Sequence, residues 1–201
     1  MLCMAAIGNA QEKKGGIRFE TGLGFTCFGN YPAVSVFTDP VDKYGLIPTD
    51  HFTLGYRTSY NFFYGLTVGS RGGYTSYREL DEVLFDIDVM ADLRLIYPIG
   101  SRTELELGVS AGLLIHNNSF DFANDTYSFS RTGFAGHFTA GLNYNLNSRV
   151  YVGVHLQCPY GGTLWGDKAE LPAAVQAVGY EATSIKTLYG YGVQFKWGFK
   201  F

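Results

Sequence analysis

Charge is scarce in this chain of 201 residues: Asp, Glu, Lys and Arg make up 16% of it, against the roughly 25% of an ordinary soluble domain. A basic excess is also missing. Fifteen Lys and Arg face 18 Asp and Glu, for a net charge of −3, so the electrostatic footprint of a nucleic-acid binder is absent and no nucleic-acid partner is expected. No apolar run approaches the roughly 18–20 uninterrupted residues of a spanning helix. Cysteine is rare, at three residues, and nothing near them has metal-ligand spacing. What the chain has instead is 46% hydrophobic residues, 16% aromatics and 26 glycines, glycine running near double its usual share of about 7%. Disordered chains lack this much Phe, Tyr and Leu. The length suits one domain or one closed barrel.

The first ten residues, Met1 to Ala10, carry no charge and end in Gly8-Asn9-Ala10, just before Glu12-Lys13-Lys14. Small residues at −3 and −1 of a site after Ala10 match a signal-peptidase signal, although the basic n-region is missing. We therefore expect a truncated signal-peptide remnant at 1–10, a lead at 11–16 and a single β-barrel domain at 17–201. Cys3 would leave with the signal. Cys27 and Cys158 remain, each at the end of a predicted strand.

Alternation of period two recurs eight times. The segments are Ile17–Phe28, His51–Asn61, Phe63–Tyr74, Leu84–Tyr97, Thr103–His116, Thr132–Tyr144, Val150–Cys158 and Ile185–Phe201. Segment five shows the pattern, with Leu105, Leu107, Val109, Ala111, Leu113 and Ile115 on one face and Glu104, Glu106, Gly108, Ser110 and Gly112 on the other. Helical periodicity is confined to Ala173–Val178 inside a loop. Long connections (29–50, 75–83, 117–131, 159–184) alternate with short ones (around 62, 98–102, 145–149). In an up-and-down sheet this puts every long loop on one side, as in outer-membrane barrels.

A lipocalin-like soluble barrel would turn its apolar face inward. Three features argue for the opposite. The polar face mixes small Gly and Ser with long charged residues of both signs, as a narrow interior requires. Aromatics cluster at both ends of the apolar face: Tyr60, Tyr64, Tyr97, Tyr144, Trp197, Phe199 and Phe201 at the short-turn end, and Phe25, Phe52, Tyr74, Phe85 and Phe134 at the other, as interfacial girdles do. Finally, the chain ends on an alternating aromatic strand.

That last strand, Tyr189-Gly-Tyr-Gly-Val-Gln-Phe-Lys-Trp-Gly-Phe-Lys-Phe201, resembles the C-terminal signal of outer-membrane barrels. The chain as a whole resembles the outer membrane protein beta-barrel domain family, in the size class of OmpA/OmpX-type barrels. The resemblance implies an all-β fold, an eight-stranded antiparallel up-and-down transmembrane β-barrel with short periplasmic turns and long extracellular loops. It also implies a Gram-negative-type outer membrane with both termini periplasmic, contact with outer-membrane lipid, and recognition of Tyr191, Phe195, Trp197, Phe199 and Phe201 by the barrel-assembly machinery. It says almost nothing about activity.

Parity sends a set of charges inward. Arg94 follows Asp92 on segment four, with Glu104 and Glu106 across the tight turn. Arg71 faces Asp86 and Asp88. Arg18 and Glu20 come beside Lys196 and Lys200 when the barrel closes. An unpaired charge in such a lumen is costly, so opposite signs on neighbouring strands are expected to form an ion-pair network. The rival reading is a wet conduction path, a narrow pore for small solutes or ions.

His116, His137 and His155 also face inward. Counting through the 145–149 turn sets His137 opposite Gln157 and within reach of His155, with His116 far above. Two imidazoles without a third ligand do not make a metal site, and no cofactor is expected. A lipid-modifying barrel enzyme would need a nucleophile, base and orienter in mutual reach. His137-Phe138-Thr139 is the nearest match, but both polar groups point inward. The pairs Gly72-Gly73 and Gly161-Gly162 read as turns rather than phosphate loops. Loops 29–50 and 159–184 carry more apolar residues than solvated loops need. They are expected to pack on each other as a cap, with a protein or glycan partner as the sharper alternative. The leading function is a non-enzymatic envelope scaffold with structural, adhesive or assembly roles.

Overall fold

The computed structural model describes residues 15–30, 34–36, 46–77, 80–122, 124–165, 173–177, 180–182 and 187–201. The expected signal remnant and most of the lead lie outside them. The elements are β1 (Gly16–Asn30), β2 (Val34–Val36), β3 (Ile47–Arg57), β4 (Phe62–Tyr77), β5 (Leu80–Pro98), β6 (Thr103–Phe122), β7 (Asp125–Asn145), β8 (Val150–Trp165), α1 (Ala173–Ala177), β9 (Tyr180–Ala182) and β10 (Thr187–Lys200). Eight of the strands close a barrel in the order β1-β10-β8-β7-β6-β5-β4-β3, and β3 returns to β1. All neighbours are antiparallel. The fold is an eight-stranded transmembrane-type β-barrel.

Alternation decides which face is out. Glu106 is 0% exposed while its neighbour Leu107 is 47% exposed, and the same contrast runs around the barrel. Leu54, Leu66, Leu93, Phe138, Leu156 and Phe195 lie on the outside, with Thr53, Thr67, Arg94, His155 and Lys196 inside. Polar inside and apolar outside is the inverse of a water-soluble barrel and the form suited to lipid as solvent. Closure pairs every strand edge, so none is left open to hydrocarbon. Outward rings on neighbouring strands lie against each other, with the centroids of Tyr56 and Tyr64 5.8 Å apart and those of Phe138 and Tyr160 5.7 Å apart.

The strands run further than hydrophobic alternation predicts. Residues 75–77, 80–83, 117–122 and 125–131 are ladder rather than loop: Tyr77 pairs with Leu80 and Phe122 with Asp125, and Asn124 has a φ of 72°. The outward positions here are polar (Asn117, Ser119, Asp121, Thr126, Ser128, Ser130), while His116, Asn118 and Phe120 stay buried. The ladder needs only backbone groups, so it continues past the apolar band that makes it visible. The strict long-and-short alternation therefore does not hold. Two connections on that side are tight hairpins, and the long ones lie between β1 and β3 and between β8 and β10. Gly72-Gly73 and Gly161-Gly162 likewise sit within β4 and β8 rather than in turns. Segment two ends at Arg57, and Tyr60 lies on the following turn, where the Thr58 amide donates to Phe62 O at 2.7 Å and Asn61 has a φ of 66°.

The two long connections meet each other. Val34, Ser35 and Val36 of β2 pair antiparallel with Ala182, Glu181 and Tyr180 of β9. Cys27 and Cys158 are free thiols on β1 and β8, with β10 between those strands.

Candidate functional site in the lumen

The inward charges form three tiers. Nearest the short turns, Glu104 of β6 accepts from Arg57 Nη1 at 2.7 Å through Oε1 and from Arg18 Nη2 at 3.2 Å through Oε2, with Lys200 Nζ at 3.5 Å. Arg57 Nη2 also donates to Asn61 Oδ1 at 2.8 Å, which ties the β3–β4 turn to the lumen. The Arg18 guanidinium and the Lys200 ammonium lie over the Tyr151 ring, 5.1 and 5.0 Å from its centroid.

Arg94 is the hub of the middle tier. Its Nη1 donates to Glu106 Oε1 at 2.9 Å, its Nε to Asp92 Oδ2 at 2.8 Å, and it is ion-paired with Glu20. Its guanidinium stacks 4.7 Å from the Phe63 centroid. Lys196 Nζ bridges the two glutamates, 2.7 Å from Glu106 and 3.2 Å from Glu20. Neutral groups fill the remaining valences. Tyr151 donates to Glu20, Asn143 Nδ2 donates to Glu106 at 2.9 Å, and His155 Nε2 lies 2.9 Å from Asn143 Oδ1. Glu20, Glu106, Asn143 and His155 are fully buried, so each of these bonds prevents a desolvation penalty.

In the third tier Arg71 holds Asp86 at 2.9 Å and Asp88 at 3.5 Å, and His116 Nδ1 lies 2.6 Å from Asp86 Oδ1. Inward-facing Ile47, Leu84, Leu114, Phe120 and Ala135 are buried toward the long-loop end. A polar cavity of about 40 Å³ touches Asp88, His137, Asp92, Arg94 and Lys196, room for a water or two.

The residues singled out from the sequence thus sit in the lumen, and their partners match the expected ones only in part. Arg71 meets Asp86 and Asp88, and Glu20 meets Lys196. Arg94 takes Glu106 and not Glu104, and Glu104 is held by Arg18, Arg57 and Lys200. The Glu104 pairs cross the lumen instead of joining adjacent strands: β1 and β6, which carry Arg18 and Glu104, are diametrically opposed. Arg57, Tyr151 and Asn143 belong to the network and were not singled out. Arg57 and Tyr151 lie on the polar faces of their strands, so parity was the signal that could have included them. Phe63, near the start of β4 and against Arg94, carried no such signal.

The histidines also depart from expectation. His137 pairs with Pro159 and Thr139 with Gln157, while His155 lies opposite Gly141. Asn145 pairs with Tyr151 across the 146–149 turn, so the register moves by two residues from the count and the two rings part. His137 Nε2 is 3.9 Å from Asp88 Oδ2, and His155 Nδ1 is 3.6 Å from Glu106 Oε1. Among the described residues no three His, Cys, Asp or Glu side chains gather to hold a metal ion.

No family model matches the sequence, and no curated protein matches it. Solved structures do match in fold. Neisserial surface protein A superposes with a TM-score of 0.55 at 13% identity, over 93% of this chain and 97% of that one. A major outer membrane protein of Thermus thermophilus gives 0.57 at 10% identity, over 92% and 99%. Ail, the attachment invasion locus protein of Yersinia pestis, solved with the heparin analogue sucrose octasulfate, gives 0.52 at 14% identity, over 94% and 99%. The chain shares the barrel fold of these outer-membrane proteins.

Proposed function

We propose that this chain is an integral outer-membrane barrel acting as a non-enzymatic envelope scaffold, with both termini periplasmic and loops 29–50 and 159–184 displayed outside. The observation that carries it is the filled lumen. Arg18–Glu104, Arg57–Glu104, Glu20–Arg94 and Lys196–Glu106 span the interior, and the polar cavity beside Arg94 and Lys196 measures about 40 Å³. Cross-linking of that kind favours a rigid post over a conduit. The β2–β9 pairing supports a single displayed unit made from both long loops, the surface on which a protein or glycan partner would dock. Tyr191, Phe195, Trp197 and Phe199 face outward on the closing strand, and Phe201 is exposed at its end. This is the placement needed for contact with lipid and with the barrel-assembly machinery.

Membrane fractionation and planar-bilayer recording test the reading. The protein should fractionate with the outer membrane, migrate faster on SDS gels unheated than boiled, and give no reproducible conductance steps. Steps abolished by blocking the lumen would replace the scaffold with a narrow pore. Lipid hydrolysis lost on His137→Ala would replace it with an enzyme.

A further inference from the structure

The short-turn mouth of the barrel is electrostatically one-sided. An open depression of about 1150 Å³ is lined there by Arg18, Arg57, Arg102, Arg149 and Lys200, and among the described residues no Asp or Glu lines it. Glu104 lies beneath and is shared by Arg18, Arg57 and Lys200, and even with an α-carboxylate on Phe201, which borders the same depression, the cations stay in excess. The two arginines at its floor are nearly inaccessible, at 2% and 5% exposure. Each also keeps a donor unused, since Arg18 Nη1 and Arg57 Nε are buried without a hydrogen-bond partner among the described residues. A buried guanidinium N–H with no acceptor loses its hydration uncompensated, and clustered like charges add repulsion. Those donors have no open surface, so what a multivalent oxyanion offsets is the repulsion, through the exposed Arg102 and Arg149, whose guanidinium forks match phosphate geometry.

The rim is held in place for such a ligand. The Asn145 amide donates to Arg102 O at 2.7 Å and the Lys200 amide to Arg149 O at 2.7 Å. These bonds tie the β5–β6 turn to the end of β7, and the β7–β8 turn to β10. Exposed Arg102 and Arg149 are therefore carried on fixed backbone above the buried pair.

We propose that this mouth is a binding site for a phosphate-type oxyanion, floored by Arg18 and Arg57 and walled by Arg102, Arg149 and Lys200. The assignment is independent of whether the lumen conducts. Free phosphate and the phosphate of a lipid headgroup in the adjoining leaflet present the same chemistry.

Calorimetric titration of inorganic phosphate into the full-length barrel in alkyl maltoside micelles, which carry no phosphate, tests it. Saturable binding is expected, displaced by sulfate and not by equimolar chloride. Arg102→Gln with Arg149→Gln should weaken it about tenfold, and Lys200→Gln should weaken it further. The two rim arginines are exposed, so the double variant is expected to fold, which heat-modifiable gel migration verifies. Repeating the titration in phosphatidylglycerol nanodiscs separates the sources. Persistent binding identifies free phosphate, whereas loss of the isotherm with broadening of a bound lipid ³¹P resonance identifies the headgroup; either outcome supports the site. Absence of saturable binding in micelles, or an isotherm unchanged by the double substitution, overturns it.

Discussion

Arg18 and Glu104 stand on diametrically opposite strands, 86 positions apart in sequence, and meet across the lumen at 3.2 Å. Both side chains are at most 2% exposed. A pair of this kind joins the two halves of the barrel wall directly, so its loss acts on closure rather than on one hairpin. Glu104→Gln keeps the shape and removes the charge that Arg18, Arg57 and Lys200 share. Breaking a buried ion pair from one side costs about 3–5 kcal/mol, because the surviving charge stays buried. Urea unfolding in lipid vesicles should show a loss in that range. Replacing Glu104 and Arg18 together with Met should restore a large part of it.

Arg94→Ala should be at least as damaging, since it leaves Glu20 and Glu106 to share Lys196 and takes from Asp92 the guanidinium it pairs with. It also leaves the Phe63 face without its cation. The lipid-facing change Leu107→Ala should cost clearly less, because the surrounding solvent closes over the gap and no fixed cavity remains. The two unfolding midpoints, measured in the same lipid, decide the point. If Arg94→Ala leaves the midpoint unchanged, the middle tier is hydrated and the pore reading gains.

Glycines separate close approach from spare room. A Cβ at Gly198 would collide with the Tyr151 ring, which lies against it while donating to Glu20. At Gly72 a Cβ would sit 3.6 Å from Leu84 O and 3.7 Å from Phe85 Cδ2, ordinary contact. Gly198→Val should therefore cost about 1–3 kcal/mol by overpacking. Gly72→Ala should be neutral or stabilise by up to about 1 kcal/mol, since Ala loses less entropy in a strand. Equal effects of the two substitutions would sink the distinction.

The barrel was legible because lipid imposes a strict period of two: Leu105 to Ile115 and Tyr189 to Phe201 can be read only one way. Legibility failed where that constraint ends. Above the apolar band the hairpins around Tyr77–Leu80 and Phe122–Asp125 are held by backbone pairing, which leaves no hydrophobic trace. The inward set was readable from parity, but its pairing was not. Arginine and lysine side chains are long enough to reach three or four strands across an eight-stranded interior, so adjacency in the sheet does not choose the partner. Arg57 was missed for that reason. It lies at the end of β3 with no acid beside it, and its acid, Glu104, stands across the lumen.

The β2–β9 pairing offers the last test. Three residues on each side join the two long loops, and an isolated two-stranded ribbon of that size adds almost nothing to global stability. Its effect should be local, restricting the loops without strengthening the barrel. In an antiparallel ladder successive residues alternate in the donors they commit to the partner. Prolines at both Ser35 and Val36 therefore remove at least one ladder N–H, whichever of the two faces β9. Hydrogen exchange read by mass spectrometry should then show faster exchange at 180–182, while the ladders of β5, β6 and β7 keep their protection. The unfolding midpoint should move by less than about 0.5 kcal/mol. Unchanged exchange at 180–182 would show that the loops are held by other contacts. A collapse of the midpoint would mean that the ribbon contributes to barrel closure, and the displayed loops would then be part of the fold rather than a surface carried on it.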